Sequence, residues 1–225
     1  MESGAKRPSP GQPGGHQLRR EVIVHHQRER ILTAATEEIA ERGYRSTSVA
    51  DIVKRAAIAR AKFYENFTSK QDCFLTIYDR AVESALEAVR KACESREGPL
   101  RDRVEAGLTA LLAHLGANAL EARAWVVEGP AVGPEIQDRF ERAIADFAGL
   151  LRAARDGGSE AGVELPDTVE ETVVGGIYWM LYYALDEQRP KKLKQMLPDL
   201  VEFSLIPLGG SGAGRQPGAE APPIG

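Results

Sequence analysis

Residues 46–72 read STSVADIVKRAAIARAKFYENFTSKQD, and the rest of the chain is best understood from this segment. Thr47 or Ser48 supplies a side-chain oxygen to cap a helix. That helix carries Val49, Ile52 and Val53 on one side and ends near Lys54 or Arg55. Ala56 and Ala57 follow, small enough for a close helix crossing. A second short helix begins near Ile58, carries Arg60, Lys62 and Tyr64 outward, and leaves Phe63 and Phe67 for packing. Thr68 or Ser69 caps a third helix, with Lys70 in its first turn. Two short helices at a steep angle, the second basic and exposed, have the layout of a helix-turn-helix.

A recognition helix must bring donors to base edges and phosphates. Arg and Lys supply charge, and Tyr supplies a hydroxyl for phosphate. Arg60 and Lys62 lie two apart and splay around the helix, so that one reads a base while the other holds the backbone. The candidate DNA-contacting residues are Thr47, Ser48, Arg60, Ala61, Lys62, Tyr64, Asn66 and Lys70. Lys70 belongs to the set because it sits at a helix N-terminus, whose backbone amides attract phosphate. The competing reading of this local pattern is a short basic helix on a solvated surface.

The segment from Arg28 to Asp72 resembles the DNA-binding domain of the tetracycline-repressor (TetR) family of bacterial transcription regulators. RERILTAATEEIAERGY, from Arg28 to Tyr44, is similar to the family's first helix, with small and apolar positions at Ile31, Ala35 and Ile39. TSVADIVKRA resembles the second helix. AIARAKFYENFTSKQD resembles the recognition helix and the start of the fourth, with the tyrosine, phenylalanine and Ser-Lys in matching order. Four positions depart from the family pattern. Ala57 stands where Gly is usual in the turn, Ala59 where Ser is common, Lys62 where Thr is common and Asn66 where His is common. The resemblance implies an all-α protein: an N-terminal three-helix DNA-binding domain, then a helical domain that binds a small molecule and dimerises through its last long helices. It implies a homodimer on a palindromic operator, with effector and operator opposing each other by linkage.

The chain has 225 residues with 43% hydrophobic and 28% charged side chains, an ordinary globular balance. A net charge of −4 argues against nucleic acid until the chain is divided. Residues 1–72 hold 13 Lys and Arg against 9 Asp and Glu, or +4, and the remainder holds 16 against 24, or −8. A basic front and an acidic back suit a DNA-binding head on a body kept off DNA. Cys73 and Cys93, on one predicted helix, stand roughly 30 Å apart, far beyond disulfide reach, which suits a reducing cytoplasm. Met1 to Gly15 is polar and has no signal-peptide pattern. The longest apolar run, Val173 to Leu185, is too short to span a bilayer, so no membrane partner is expected.

Four regions are expected: a disordered basic arm over 1–20, the helix-turn-helix domain over 21–72, a helical effector-binding and dimerisation domain over 73–208, and a disordered tail over 209–225. The arm, with Lys6, Arg7, Arg19 and Arg20, reads either as a solvated tail or as a minor-groove contact. Helices are expected over 28–42, with Gly43 as C-cap, then from Lys70 to about Cys93 and from Leu100 to about Leu115. Others follow from Asn118 to about Glu128, Glu135 to Asp156, Pro166 to about Gln188, and Lys191 to Ile206 with a break near Pro198. VVGGIYWMLYYAL, residues 173–185, is apolar on more than one face and carries Gly175-Gly176 for close approach. With Met196, Leu200, Val201, Phe203 and Leu205 it offers half of a four-helix dimer interface, or else a buried core helix.

Trp125, Phe140, Ile144, Phe147, Tyr178 and Tyr182 are candidates to line an effector pocket, with His114 or Asn118 as a polar contact. This inventory suits an apolar or amphiphilic small molecule. Plain core packing is the competing reading of each. Adjacent His25 and His26 point about 100° apart on a helix, so no metal is expected, nor any cofactor. Glu128, Asp146 and His114 could supply acid–base groups, but no nucleophile elbow, phosphate loop or HExxH accompanies them, so an enzyme is not expected. The main alternative is a helical small-molecule-binding protein without sequence-specific DNA binding.

Overall fold

Serine 48 marks the start of the second helix. Its Oγ accepts from the Asp51 backbone N–H at 3.2 Å, and the Asp51 carboxylate accepts from the Ser48 N–H at 2.9 Å. This reciprocal capping box satisfies two donors that the helix start leaves orphaned. The Ser48 hydroxyl, the Ser48 amide and Arg42 together pull the Asp51 carboxyl down to about 2. In the computed structural model, which describes residues 14–156, 165–166, 168–186 and 193–208, nine α-helices and no strand are found among the described residues.

Helix α1 (Gly14–Arg42) ends at Gly43, whose φ of 85° is the left-handed geometry that glycine adopts without strain. The irregular arm expected over 1–20 is helical from Gly14, because Gln17, Leu18, Arg19, Arg20 and Glu21 all favour helix. Residues 1–13 of that arm, and the tail expected over 209–225, lie outside the described residues. Helix α2 (Val49–Arg55) and helix α3 (Arg60–Tyr64) follow, then α4 (Lys70–Glu94), capped by Ser69 on the Asp72 amide at 3.0 Å. Ile31, Ile39, Ile52, Phe63, Phe67 and Phe74 are buried to within 2% and close the core of this head. Each contributes about 1.5–3 kcal/mol by leaving water.

Helix α4 continues out of the head. Its buried residues from Cys73 to Val89 recur at helical spacing and pack on α5 (Leu100–Ala117) and α7 (Gln137–Asp156). Helix α6 (Ala119–Ala122) passes into a π-helical turn, Arg123–Val127. Two short 3-10 turns lead to α7, which packs on α8 (Thr168–Asp186). The final helix, α9 (Leu197–Leu205), lies against α5. Pro198 falls in its first turn, where a missing N–H costs nothing, so the expected break sits just before it. The stop expected at Pro190 lies outside the described residues. Leu200, Val201 and Leu205 turn inward to the chain's own core.

Candidate nucleic-acid interface and internal cavity

Helix α3 has five residues and buries one side chain, Phe63. Arg60, Ala61 and Tyr64 are exposed and Lys62 is partly so. Arg60 donates to the Tyr64 hydroxyl at 3.3 Å, and Lys62 pairs with Glu65 at 2.7 Å. Both contacts are solvent-exposed, and exposed pairs of this kind are worth little, so these groups exchange partners readily. Ala59 starts the helix without any side-chain cap.

So short a helix is held from outside. Arg28 of α1 donates to the Asn66 carbonyl at 2.9 Å and lies over the Phe67 ring at 4.2 Å, which fixes the C-terminal end. Arg30 donates to the carbonyls of Ala56 and Ala57, at 2.5 and 3.3 Å, which fixes the turn before α3. Ala57 there adopts φ 51°, a conformation that costs a residue with a Cβ. Arg55 of α2 is tied back to α1 through Glu37, Glu38 and Glu41, and Glu41 and Glu38 raise its guanidinium further above its ordinary range. None of the three arginines figured in the sequence reading as anchors, and their partners lie 14 to 48 residues away, beyond any local spacing signal.

Three residues of the expected contact set are spent internally. Thr47 is 2% exposed, and its hydroxyl donates to the carbonyls of Gly43 and Glu38. Asn66 donates its amide to the Lys62 carbonyl at 2.8 Å and closes α3. Lys70 turns inward, donating to the carbonyls of Tyr44 and Thr47 at 2.7 and 2.8 Å and lying 4.0 Å from the centre of the Tyr44 ring. Burial lowers the Lys70 ammonium from its ordinary range. Ser48 remains exposed, although its oxygen is engaged in the capping box.

Inside the body a cavity of about 100 Å³ lies among α4, α5, α7, α8 and the π-turn. Trp125, Phe140, Ile144, Phe147 and Tyr178 line it, along with Leu and Val side chains of α5 and α8. His114, Asn118 and Tyr182 do not. His114 lines an open charged groove between α4 and α7, and Asn118 donates to the His114 carbonyl at 3.0 Å, ending α5. Tyr182 belongs to an outer aromatic cluster with Trp179 at 5.5 Å and Tyr183 at 5.6 Å.

The π-turn joins this cavity to the head. Trp125 and Val126 form cavity wall, and the Val126 carbonyl accepts from the Tyr178 hydroxyl at 2.9 Å. At its start, Arg123 donates to the Ala40 carbonyl of α1 at 2.9 Å and to the Leu185 carbonyl of α8 at 3.2 Å. Just past its end, Glu128 accepts the Tyr44 amide at 2.8 Å.

The profile described as "Bacterial regulatory proteins, tetR family" matches residues 31–77. A similar curated protein is the HTH-type transcriptional activator FasR of Mycolicibacterium smegmatis, 28% identical over 70% of this chain and 71% of that one. The uncharacterized HTH-type transcriptional regulator YezE of Bacillus subtilis is 33% identical over 56% of this chain and 70% of its own length. Among solved structures, the fatty acid degradation regulator FadR of Bacillus halodurans superposes with a TM-score of 0.69 at 17% identity, covering 80% of this chain and 95% of that one. FadR of Bacillus subtilis, solved in complex with stearoyl-CoA, gives 0.68 at 17% identity over 82% and 99%. No helix among the described residues is long and apolar enough to cross a membrane.

Proposed function

This chain belongs to the TetR family of bacterial transcription regulators, and from that premise we propose that it is a homodimeric repressor that binds a palindromic operator and is released by an apolar or amphiphilic effector. The observation that carries the reading is α3 itself. It buries Phe63 alone, is clamped at both ends by arginines of α1, and holds Arg60, Lys62 and Tyr64 to solvent. Arg60 and Lys62 are the base and phosphate readers, Tyr64 is a phosphate contact, and Ser48 with Ala61 completes the surface.

One such helix reads few base pairs, and two-fold dimers place two of them one DNA turn, about 34 Å, apart. Exposed large apolar side chains support the dimer. Trp179, Tyr183, Phe203 and Ile206 are 54%, 62%, 38% and 74% exposed, and all lie on or next to α8 and α9. An apolar face of this kind marks an association surface.

The cavity supports an effector reading. It is small as it stands, so an entering chain must push α4 and the π-turn outward. That displacement strains the Arg123 and Glu128 contacts to the head and shifts the recognition helices. Effector and operator then oppose each other reciprocally. FadR of Bacillus subtilis, with its stearoyl-CoA, is a fold neighbour with an amphiphilic ligand. The protein works in the cytoplasm, without cofactor, and carries out no catalysis.

Binding to mixed-sequence duplex DNA at rising salt tests the reading. The affinity is expected to fall steeply as counterions are released, with a shallower slope for Arg60→Ala. An affinity indifferent to salt, or a slope that Arg60→Ala leaves unchanged, contradicts it.

A further inference from the structure

Five side chains that carry a polar atom line the cavity: Tyr78, Cys93, Trp125, Tyr178 and Ser204. Among the described residues that line it, none is charged. Three of the five are spent within the chain. Tyr178 donates to the Val126 carbonyl at 2.9 Å, Ser204 to the Leu200 carbonyl at 2.7 Å, and the Cys93 thiol contacts the Arg103 carbonyl at 3.8 Å. The Tyr78 hydroxyl and the Trp125 indole N–H have no acceptor among the described residues. Tyr78 is 3% exposed and Trp125 7%, yet neither donor atom is sealed in by packed protein, so each meets open space. The two rings meet edge to face with centroids 6.1 Å apart and form one wall of the cavity. Burial raises the Tyr78 phenol well above its ordinary range, so it keeps its proton and offers it.

A buried donor left without an acceptor is costly, and native proteins leave few. An anion is the wrong partner here, because nothing charged lines the cavity to offset its lost water. A carbonyl oxygen suits both groups, since it donates nothing and its two lone pairs accept from each. We propose that the effector is an uncharged apolar molecule with a ketone or ester carbonyl, held by the Tyr78 hydroxyl and the Trp125 indole N–H. The inference rests on the effector reading above and adds the ligand's polar atom to it. The apolar remainder lies toward Leu108, Leu150 and Leu151, which also line the cavity. Trp125 belongs to the π-turn whose Arg123 holds α1 and α8, so the carbonyl fastens the ligand to the element that joins the cavity to the head. Tyr78 and Ala143 also line the charged groove between α4 and α7, so the carbonyl end sits at a wall the cavity shares with an open groove.

Calorimetric titration of the full chain with methyl hexyl ketone, its methylene analogue and octanoate tests the proposal. The analogue carries a CH2 group where the ketone carries oxygen, and octanoate carries a charge. Tyr78→Phe deletes a hydroxyl that bonds nothing in the chain, so the melting temperature is expected to hold. The same variant is expected to weaken the ketone about three- to tenfold, the worth of one neutral hydrogen bond. The methylene analogue is expected to bind wild type and variant alike. The infrared carbonyl stretch of the bound, isotope-labelled ketone is expected at lower frequency than in hexane, and to move back toward the hexane value in Tyr78→Phe and in Trp125→Phe. If Tyr78→Phe weakens ketone and analogue equally, or weakens neither, the proposal is overturned and the effector reading stands. Tighter binding of octanoate than of the ketone has the same meaning. Binding of none of the three overturns both.

Discussion

Ala57 occupies a left-handed backbone conformation at φ 51°, where its Cβ crowds the following carbonyl. Glycine takes that geometry without the clash but loses more entropy on folding, so the two effects partly cancel. Ala57→Gly is therefore expected to stabilise the protein by about 0.5–1 kcal/mol, read as a rise of about 2 °C in melting temperature. An unchanged or lower melting temperature means the turn is not strained. Lys62 is held only by the exposed pair with Glu65, so DNA can claim it at little cost. Lys62→Ala is expected to weaken operator binding and relax preference at one base position by about 1–3 kcal/mol. Tyr64→Phe removes a hydroxyl assigned to phosphate and is expected to weaken binding about equally on all sequences. Competition binding on a panel of single-base operator variants separates these two patterns. Outward residues of α3 were legible because periodicity alone points Phe63 in and its neighbours out. The inward turn of Lys70 was not, because its carbonyl partners lie 26 and 23 residues back and only the folded chain brings them near. Thr47 and Asn66 each bond a carbonyl four residues back, a local competition for the side chain that the DNA reading passed over.

At the scale of elements, caps and breakers carried most of the information. Ser48, Gly43, Ser69, Pro134 and Pro198 locate helix ends to within a residue or two, since each satisfies or removes a specific backbone group. The π-turn at Arg123–Val127 was invisible, because its residues are ordinary helix formers and the distortion arises from packing against α1 and α8. The head-to-body contact depends on it. Glu128→Ala leaves the Tyr44 amide without its acceptor, and an unmet buried donor costs about 1–3 kcal/mol. The expected signature is local: faster hydrogen exchange at the Tyr44 amide, with α7 and α8 amides unaffected. Unchanged exchange at Tyr44 excludes Glu128 as the tie between body and head.

For the whole molecule, charge and apolar surface divide the labour. The head is basic and the body acidic, so the field orients the protein on DNA. Gly176 lets the Phe203 ring of α9 sit directly on α8, for a Cβ at that position would stand 2.4 Å from the ring. Gly176→Ala must displace the tip of the Phe203 ring, one of the exposed aromatics of the proposed dimer face, and because that ring is 38% exposed it can swing aside at little cost to the fold while the face is rearranged. Sedimentation equilibrium is expected to show a dimer dissociation constant raised about tenfold or more, and an unaltered constant removes Phe203 from the interface. The helical pattern made α8 and α9 legible as helices in sequence. It did not separate the inward Leu200 and Leu205 from the outward Phe203, because both faces of α9 are apolar and only the position of α5 distinguishes them.

The most direct measurement is selection of bound sequences from a random duplex pool by the purified protein at moderate salt. The expected result is enrichment of a palindrome whose half-sites lie about one helical turn apart, lost when Arg60 and Lys62 are both replaced by alanine. Failure to enrich any sequence, by protein shown to be folded and dimeric, contradicts operator recognition and leaves a helical small-molecule-binding protein in its place.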